Sequence, residues 1–280
     1  RRQMEGYGLE KVHEANLKIL DEVDRICKKY RIRYMLDAGT LLGAVRHKGF
    51  IPWDDDVDII FTRSQYEAFM KVAARELPDT MEVMDYRTLH GGKGFYDFTS
   101  RILYLPSKKH ENGPEMEFYG GKLNHLWVDL FVLDRLPDSK ASAVRLFQTL
   151  LYGLAMGHRY RLDFSKYQGK ELAAVKFLSA VGKCLPMKGI FALQRRFSLL
   201  FDSGKHGKLY ASNYQPDFLY VTWEKAWAEK TSQVEFEGRS LMAPADPDGV
   251  LRMLYGDYMK LPPEEQRVPS HSSMAIQIYR

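Results

Sequence analysis

The sequence predicts an α+β protein: a mixed β-sheet carrying helices, followed by a helical stretch of its own. Three observations lead there. Short β-branched and aromatic runs alternate with helical periodicities through the first 137 residues. Residues 140–203 then read as long helices rich in Leu, Ala, Phe and Lys. The chain closes on a hairpin pattern and one more helix, with no internal repeat and no low-complexity segment. The expected organisation is a core over residues 1–137, a helical insert over 138–205, and a segment over 206–280 that completes the site.

Taken in order, Val12, Leu17, Leu20, Val23, Ile26, Cys27 and Tyr30 recur at three- and four-residue steps, which predicts one docking helix with a buried face from Leu9 to Tyr30. Its charged, amphipathic character is unlike an export signal. Arg33–Leu36 alternates as a strand, and Ala38-Gly39-Thr40 opens a helix through Arg46. Gly49 and Pro52 break that helix before Val57–Phe61, a run suited to an inner strand. Ser64 and Glu67 have the spacing of a capping box for a helix over Tyr66–Leu77. Met81–Tyr86, Tyr96–Leu105 and Trp127–Leu133 read as further strands, with Asp134 as a strand-end cap. The later helices are expected over 140–162, 170–183 and 188–203. Val234–Phe236 and Arg239–Met242 flank Glu237-Gly238 as a hairpin, and Asp246-Pro247 supplies the N-cap and first-turn proline of a final helix.

Composition excludes several classes. The chain has 280 residues, 45% hydrophobic and 13% aromatic, so it is neither disordered nor fibrous. Apolar runs such as Leu150–Met156 are too short to span a bilayer. Cys27 and Cys184 are the only cysteines, which leaves neither a disulfide framework nor a four-ligand zinc site and favours a reducing compartment. A net charge of +5 suits phosphorylated small molecules or an anionic membrane face and makes no case for nucleic acid.

Charge distribution says more than net charge, because Asp54, Asp55, Asp56 and Asp58 crowd one short stretch. Asp56 and Asp58, two apart at the start of a strand, point to the same side. Two carboxylates held together raise each other's proton affinity unless a cation compensates, and a hard divalent ion, Mg²⁺ or Mn²⁺, fits that need. Upstream, Gly39 and Thr40 place a glycine turn and a hydroxyl at a helix start, where free N–H groups receive phosphate oxygens. Arg46, His47 and Lys48 close the same helix just before the acidic loop. Singly, each of these is an ordinary turn or helix terminus; together they describe a metal–nucleotide site. Asp129, embedded in Trp127–Leu133, needs a partner and is the candidate third carboxylate. Lying on the exposed face of an edge strand, or pairing with an arginine, is the alternative for it.

The stretch LDAGTLLGAVRHKGFIPWDDDVDII resembles the signature of the LicD/fukutin family, a branch of the nucleotidyltransferase-like superfamily. WVDLFVLDRLP and YGDYMKLPPEEQRVPSHSS resemble its later segments, so the likeness spans nearly the whole chain. That resemblance implies a nucleotidyltransferase-like catalytic core, with Gly39-Thr40 as its glycine-hydroxyl element, Asp56, Asp58 and Asp129 as metal-binding and catalytic carboxylates, and His271 reaching the nucleotide. It also implies transfer of a phosphorylated alcohol, with phosphocholine favoured, from a CDP-linked donor such as CDP-choline to a glycan or lipid-linked glycan. Decoration of lipopolysaccharide or teichoic acid by a cytoplasmic enzyme, at the inner face of the membrane, would follow. Two cysteines and no visible anchor liken the chain to the bacterial members.

Aromatic faces would serve choline, but Trp127, Trp223 and Trp227 are read here as core. Lys176, Lys183, Lys188, Arg195 and Arg196 sit among apolar residues of the insert, which suits an acceptor site, peripheral membrane contact or a solvated helix face. Two rival functions remain: a glycosyltransferase whose Asp-x-Asp holds a nucleotide-sugar, and a non-catalytic nucleotide or headgroup binder of the same fold.

Overall fold

The computed structural model describes residues 7–109, 112–202, 207–269 and 276–279. Along the core run α1 (Glu10–Tyr30), β1 (Met35–Leu36), α2 (Ala38–His47), β2 (Asp58–Thr62), α3 (Arg63–Glu76), β3 (Met81–Met84), β4 (Ser100–Tyr104), β5 (Ser107–Lys108), α4 (Pro114–Phe118) and β6 (Leu126–Leu136). The helical stretch comprises α5 (Ala141–Ala155), α6 (Gly169–Lys183) and α7 (Met187–Ser198). The chain ends through β7 (Lys208–Ala211), β8 (Thr222–Glu224), α8 (Lys225–Glu229), β9 (Thr231–Phe236), β10 (Arg239–Pro244), α9 (Pro247–Tyr255) and β11 (Gln277–Ile278).

Seven strands form one curled mixed sheet in the order β1-β2-β6-β4-β3, with β7 joining β6 and β8 joining β7. β2 and β6 run parallel, Asp58 facing Asp129, whereas β4 runs antiparallel to β6 from Ser100 opposite Leu130. β7 takes the far half of β6, from Leu133 to Leu136. The Asn213 amide closes the interval between these two partners, donating to the Leu130 carbonyl and accepting from the Val132 N–H.

Helices α1 and α3 cover one face of this sheet: Phe69 stacks on Phe61 at 5.3 Å, and the Tyr66 hydroxyl meets Ser100 at 2.7 Å. Residues of opposite parity, Asp58, Arg101 and Asp129 among them, point to the other face. Beyond the sheet, α5 and α7 pack through Leu151, Tyr152, Ala155, Met156, Met187 and Ile190, closed by Phe95 and Phe98 from the β3–β4 connection.

Two local expectations fail for tertiary reasons. Ser64 and Glu67 do not cap α3, which starts earlier on Thr62 without a side-chain cap; Glu67 instead pairs with Arg195 of α7. Asp134 does not end its strand, because β7 pairing carries β6 on to Leu136; it is buried and takes two hydrogen bonds from Arg63. The hairpin and final helix form as expected. Glu237 and Gly238 both have positive φ, the geometry of a two-residue turn that suits twisted strands, and Asp246 caps α9 by accepting from the Gly249 N–H at 2.9 Å.

Candidate active site

Asp37 ends β1 and begins α2. Its N–H donates to the Asp58 carbonyl, and the Asp58 N–H donates to Thr40 Oγ1 at 2.9 Å, so the start of α2 is bolted to the start of β2. Ala38, between them, is held at φ 43°, a costly conformation for a residue with a Cβ. A Cβ on Gly39 would lie 2.5 Å from Asp54 Oδ2; glycine lets the Asp54 carboxylate rest on the backbone where α2 begins. From below, α1 holds the acidic loop by its carbonyls: His13 Nε2 meets that of Asp54 at 2.7 Å and Asn16 Nδ2 that of Asp55. Burial lowers the proton affinity of His13, so its ring, stacked on Phe50, is neutral at neutral pH.

On the open face of the sheet lies a cavity of about 400 Å³ lined by Asp55, Asp56, Asp58 and Asp129 together with Asp97, Arg101, Lys109, Tyr96, Trp127 and Tyr214. The register that puts Asp58 opposite Asp129 brings the two carboxylates to the same face. Burial raises Asp58 well above the ordinary carboxylate range, and Asp56, Asp129, Asp37 and Asp54 raise it further. Asp37, also buried, is pushed up to about 6, and its Oδ1 has no hydrogen-bond partner. Asp54, Asp55 and Asp56 can bring one ligand atom each within 4.8 Å of the others. Oxygen donors crowded around the buried Asp58, whose proton affinity they raise, are a donor set suited to a hard divalent cation.

Cations also enter the cavity, though not the ones the sequence suggested. Arg101 donates through Nε to Asp129 at 2.6 Å and is sandwiched between the Tyr96 and Trp127 rings, 4.8 Å from each centroid. Its Nη1 is buried without a partner. Lys109 stands 3.6 Å from the Trp127 ring centre, and burial lowers it to about 8. Trp127 also donates to the second Asp129 oxygen. Asp129 thus keeps the arginine partner that was the alternative for it, and lines the aspartate cavity as well.

Arg46, His47 and Lys48 lie elsewhere and do not line this cavity. Arg46 donates to the Tyr258 carbonyl, His47 meets the edge of Trp53, and the Lys48 carbonyl accepts from Glu237 N–H. Arg267 stacks on the other partner of that group, Trp53, at 5.7 Å. His271 lies outside the described residues. Trp127 lines the cavity and also packs against the cluster of Met84, Leu103 and Tyr119, whereas Trp223 is fully buried in the main core and Trp227 packs against it. Periodicity passed over Arg101 and Asp37; a charge inside the apolar run SRILY, like Asp129 inside WVDLF, was the available signal.

A mixed sheet that starts a helix on Gly39-Thr40 and gathers carboxylates from two adjacent strands beneath it is a setting suited to cation-assisted transfer chemistry. The chain belongs to the LicD/FKTN/FKRP nucleotidyltransferase-domain family, which matches residues 31–180. It is 31% identical over 270 residues to the lipopolysaccharide cholinephosphotransferase LicD of Haemophilus influenzae, covering 91% of this chain and 92% of that protein. Uncharacterized proteins of Rickettsia prowazekii and Rickettsia typhi are each 48% identical over 42 residues, 15% of this chain and 16% and 14% of theirs. The chain is an enzyme of the LicD type.

Proposed function

We propose that this enzyme transfers phosphocholine from CDP-choline to a hydroxyl of a lipopolysaccharide or other lipid-linked glycan, releasing CMP, in the cytoplasm, where CDP-activated donors are made. The observation that carries the reading is the single cavity shared by Asp56, Asp58 and Asp129 with two cations and a set of aromatic rings. A divalent ion, Mg²⁺ or Mn²⁺, held by these three carboxylates would neutralise charge on the donor diphosphate. Thr40 keeps Asp58 in place through its backbone, and Gly39 lets the Asp54 carboxylate rest against the start of α2. Arg101 has an unsatisfied buried N–H to offer a phosphate oxygen.

In the transfer, the acceptor hydroxyl oxygen bonds to the phosphorus bearing choline, the bond from that phosphorus to the CMP oxygen breaks, and CMP leaves with the electron pair. The hydroxyl proton passes to Asp129, which Arg101 and Trp127 hold in a fixed orientation. Arg101 and Lys109 offset charge growing on the transferred group. The aromatic rings lining the cavity, Tyr96, Trp127, Phe131, Tyr214 and Phe218, suit a quaternary ammonium. Arg46, His47 and Lys48, which lie outside the aspartate cavity, are proposed to meet the nucleotide, as is His271 by the family resemblance. Asp58 opens β2 and Asp56 precedes it, rather than either closing a strand, which disfavours the glycosyltransferase alternative.

The test is to incubate the enzyme and Mg²⁺ with CDP-choline, CDP-ribitol or CDP-glycerol and an oligosaccharide acceptor, and to measure CMP. Release from CDP-choline is expected. Release from CDP-ribitol alone would reassign the alcohol, and donor binding without any CMP would make the protein a binder.

A further inference from the structure

Helix α6 carries apolar residues on two opposite sides, more than the one buried stripe of an ordinary surface helix. Its inner side is accounted for. Leu172, Val175, Leu178, Ser179 and Gly182 turn toward α5, where the approach is so close that a Cβ on Gly182 would fall 1.7 Å from the Leu154 carbonyl oxygen. The opposite side is exposed. Ala173, Ala174, Phe177, Ala180, Val181 and Cys184 cover an outward arc of roughly 120° at 100° per residue, with Phe177 68% and Val181 38% exposed. Leu185 continues it just past the helix end, at 39%.

Charge says what covers this face. Residues 140–201 hold eleven Lys and Arg against two Asp and Glu, a net of +9, whereas the whole chain is +5; everything outside the stretch is therefore net acidic. Lys176 and Lys183 flank the apolar arc on one side and Lys170 lies at its head, with Glu171 the one acidic residue of α6. The Lys176 ammonium stands 5.7 Å from the ring of Phe164, which is also exposed. A protein partner with an acidic surface would explain the lysines but not the large bare hydrophobes among them. An anionic bilayer explains both, since apolar side chains enter the acyl boundary while lysines reach headgroup phosphates.

We propose that the outward face of α6 docks this enzyme on an anionic lipid bilayer, with Phe177, Val181 and Leu185 inserted and Lys170, Lys176 and Lys183 on the headgroups. The docking is independent of the chemistry assigned to the aspartate cavity.

The test is co-sedimentation of the full chain with vesicles of phosphatidylcholine alone or mixed with phosphatidylglycerol. Binding to the anionic vesicles only is expected. The paired substitution Phe177→Glu and Val181→Glu should weaken it by about tenfold or more, and Lys176→Glu with Lys183→Glu should act similarly. Tyr220→Glu, an exposed aromatic change at another place, should leave it unaltered. Circular dichroism and metal-dependent CMP release with a soluble acceptor should match wild type in every variant. Wild type ignoring anionic vesicles, or the Phe177/Val181 pair still sedimenting with them, would overturn the assignment. So would a wild-type dimer that this pair dissociates, which would give the face to a second copy.

Discussion

One strand, β6, carries two carboxylates with opposite fates, Asp134 buried and Asp129 partly exposed. Asp134 points to one face and is fully answered: Arg63 Nε donates to it at 3.0 Å, a second guanidinium nitrogen completes the fork, and the Ser212 hydroxyl adds a third donor. Five residues earlier Asp129 points to the other face, into a cavity where Asp55, Asp56, Asp58 and Asp97 outnumber Arg101 and Lys109. There Asp58 is driven upward, and at the adjoining start of α2 the buried Asp37 is raised as well, with one of its oxygens unanswered. Burying charge costs several kcal/mol unless it is neutralised. Asp134 is neutralised within the chain, so it serves the fold; Asp58, buried and raised further by four neighbouring aspartates, is the carboxylate that a bound cation would relieve.

The contrast is sharpest in turnover. Asp58→Asn, or Asp56→Asn, is expected to cut metal-dependent CMP release by roughly 10³-fold or more while the melting temperature holds or rises, because like charges have been removed. Turnover near wild type in either variant would break the division between the two carboxylate sets. Arg63→Ala should do the reverse: unfolding free energy in urea falls by about 3–5 kcal/mol as Asp134 is left buried and unpaired, with kcat per folded molecule unchanged. An Arg63→Ala enzyme that is stable but inactive would place Asp134 in the chemistry.

Acid and base behaviour gives a smaller effect. Burial lifts Asp37 from 3.8 to about 6 on folding, so the native state holds that proton more tightly. Its contribution to stability is present below about pH 4 and is lost as pH rises through about 6, a change of up to about 3 kcal/mol. In chelator-treated protein, the stability of wild type relative to Asp37→Asn should therefore decline across that window, and added Mg²⁺ should restore it. A difference that stays flat with pH would mean Asp37 has a partner in solution. Smallest of all, Trp127→Ala should raise KM for CDP-choline by about tenfold and leave CDP-glycerol little affected. Equal losses for both donors would assign the ring to Asp129 and Arg101 alone.

Much of this was legible in the order of residues. Period and punctuation located α1, α2, β2, the hairpin at Glu237-Gly238 and the capped α9, because each is decided by neighbours a few positions away. The acidic loop and Asp129 stood out chemically, since a run of aspartates and a charge within an apolar strand are both costly without a reason. Pairing across the sheet was not legible. Only the parallel register of β2 with β6 sets Asp58 beside Asp129, only β7 draws Asp134 inside a strand, and only the turn of β4 brings Arg101 rather than Arg46 to the carboxylates. Sequence by itself determined the local elements and which side chains would be expensive to bury, since those depend on residue type and spacing. Tertiary structure alone decided which of those charges meet, because that depends on the distances between strands far apart in the chain.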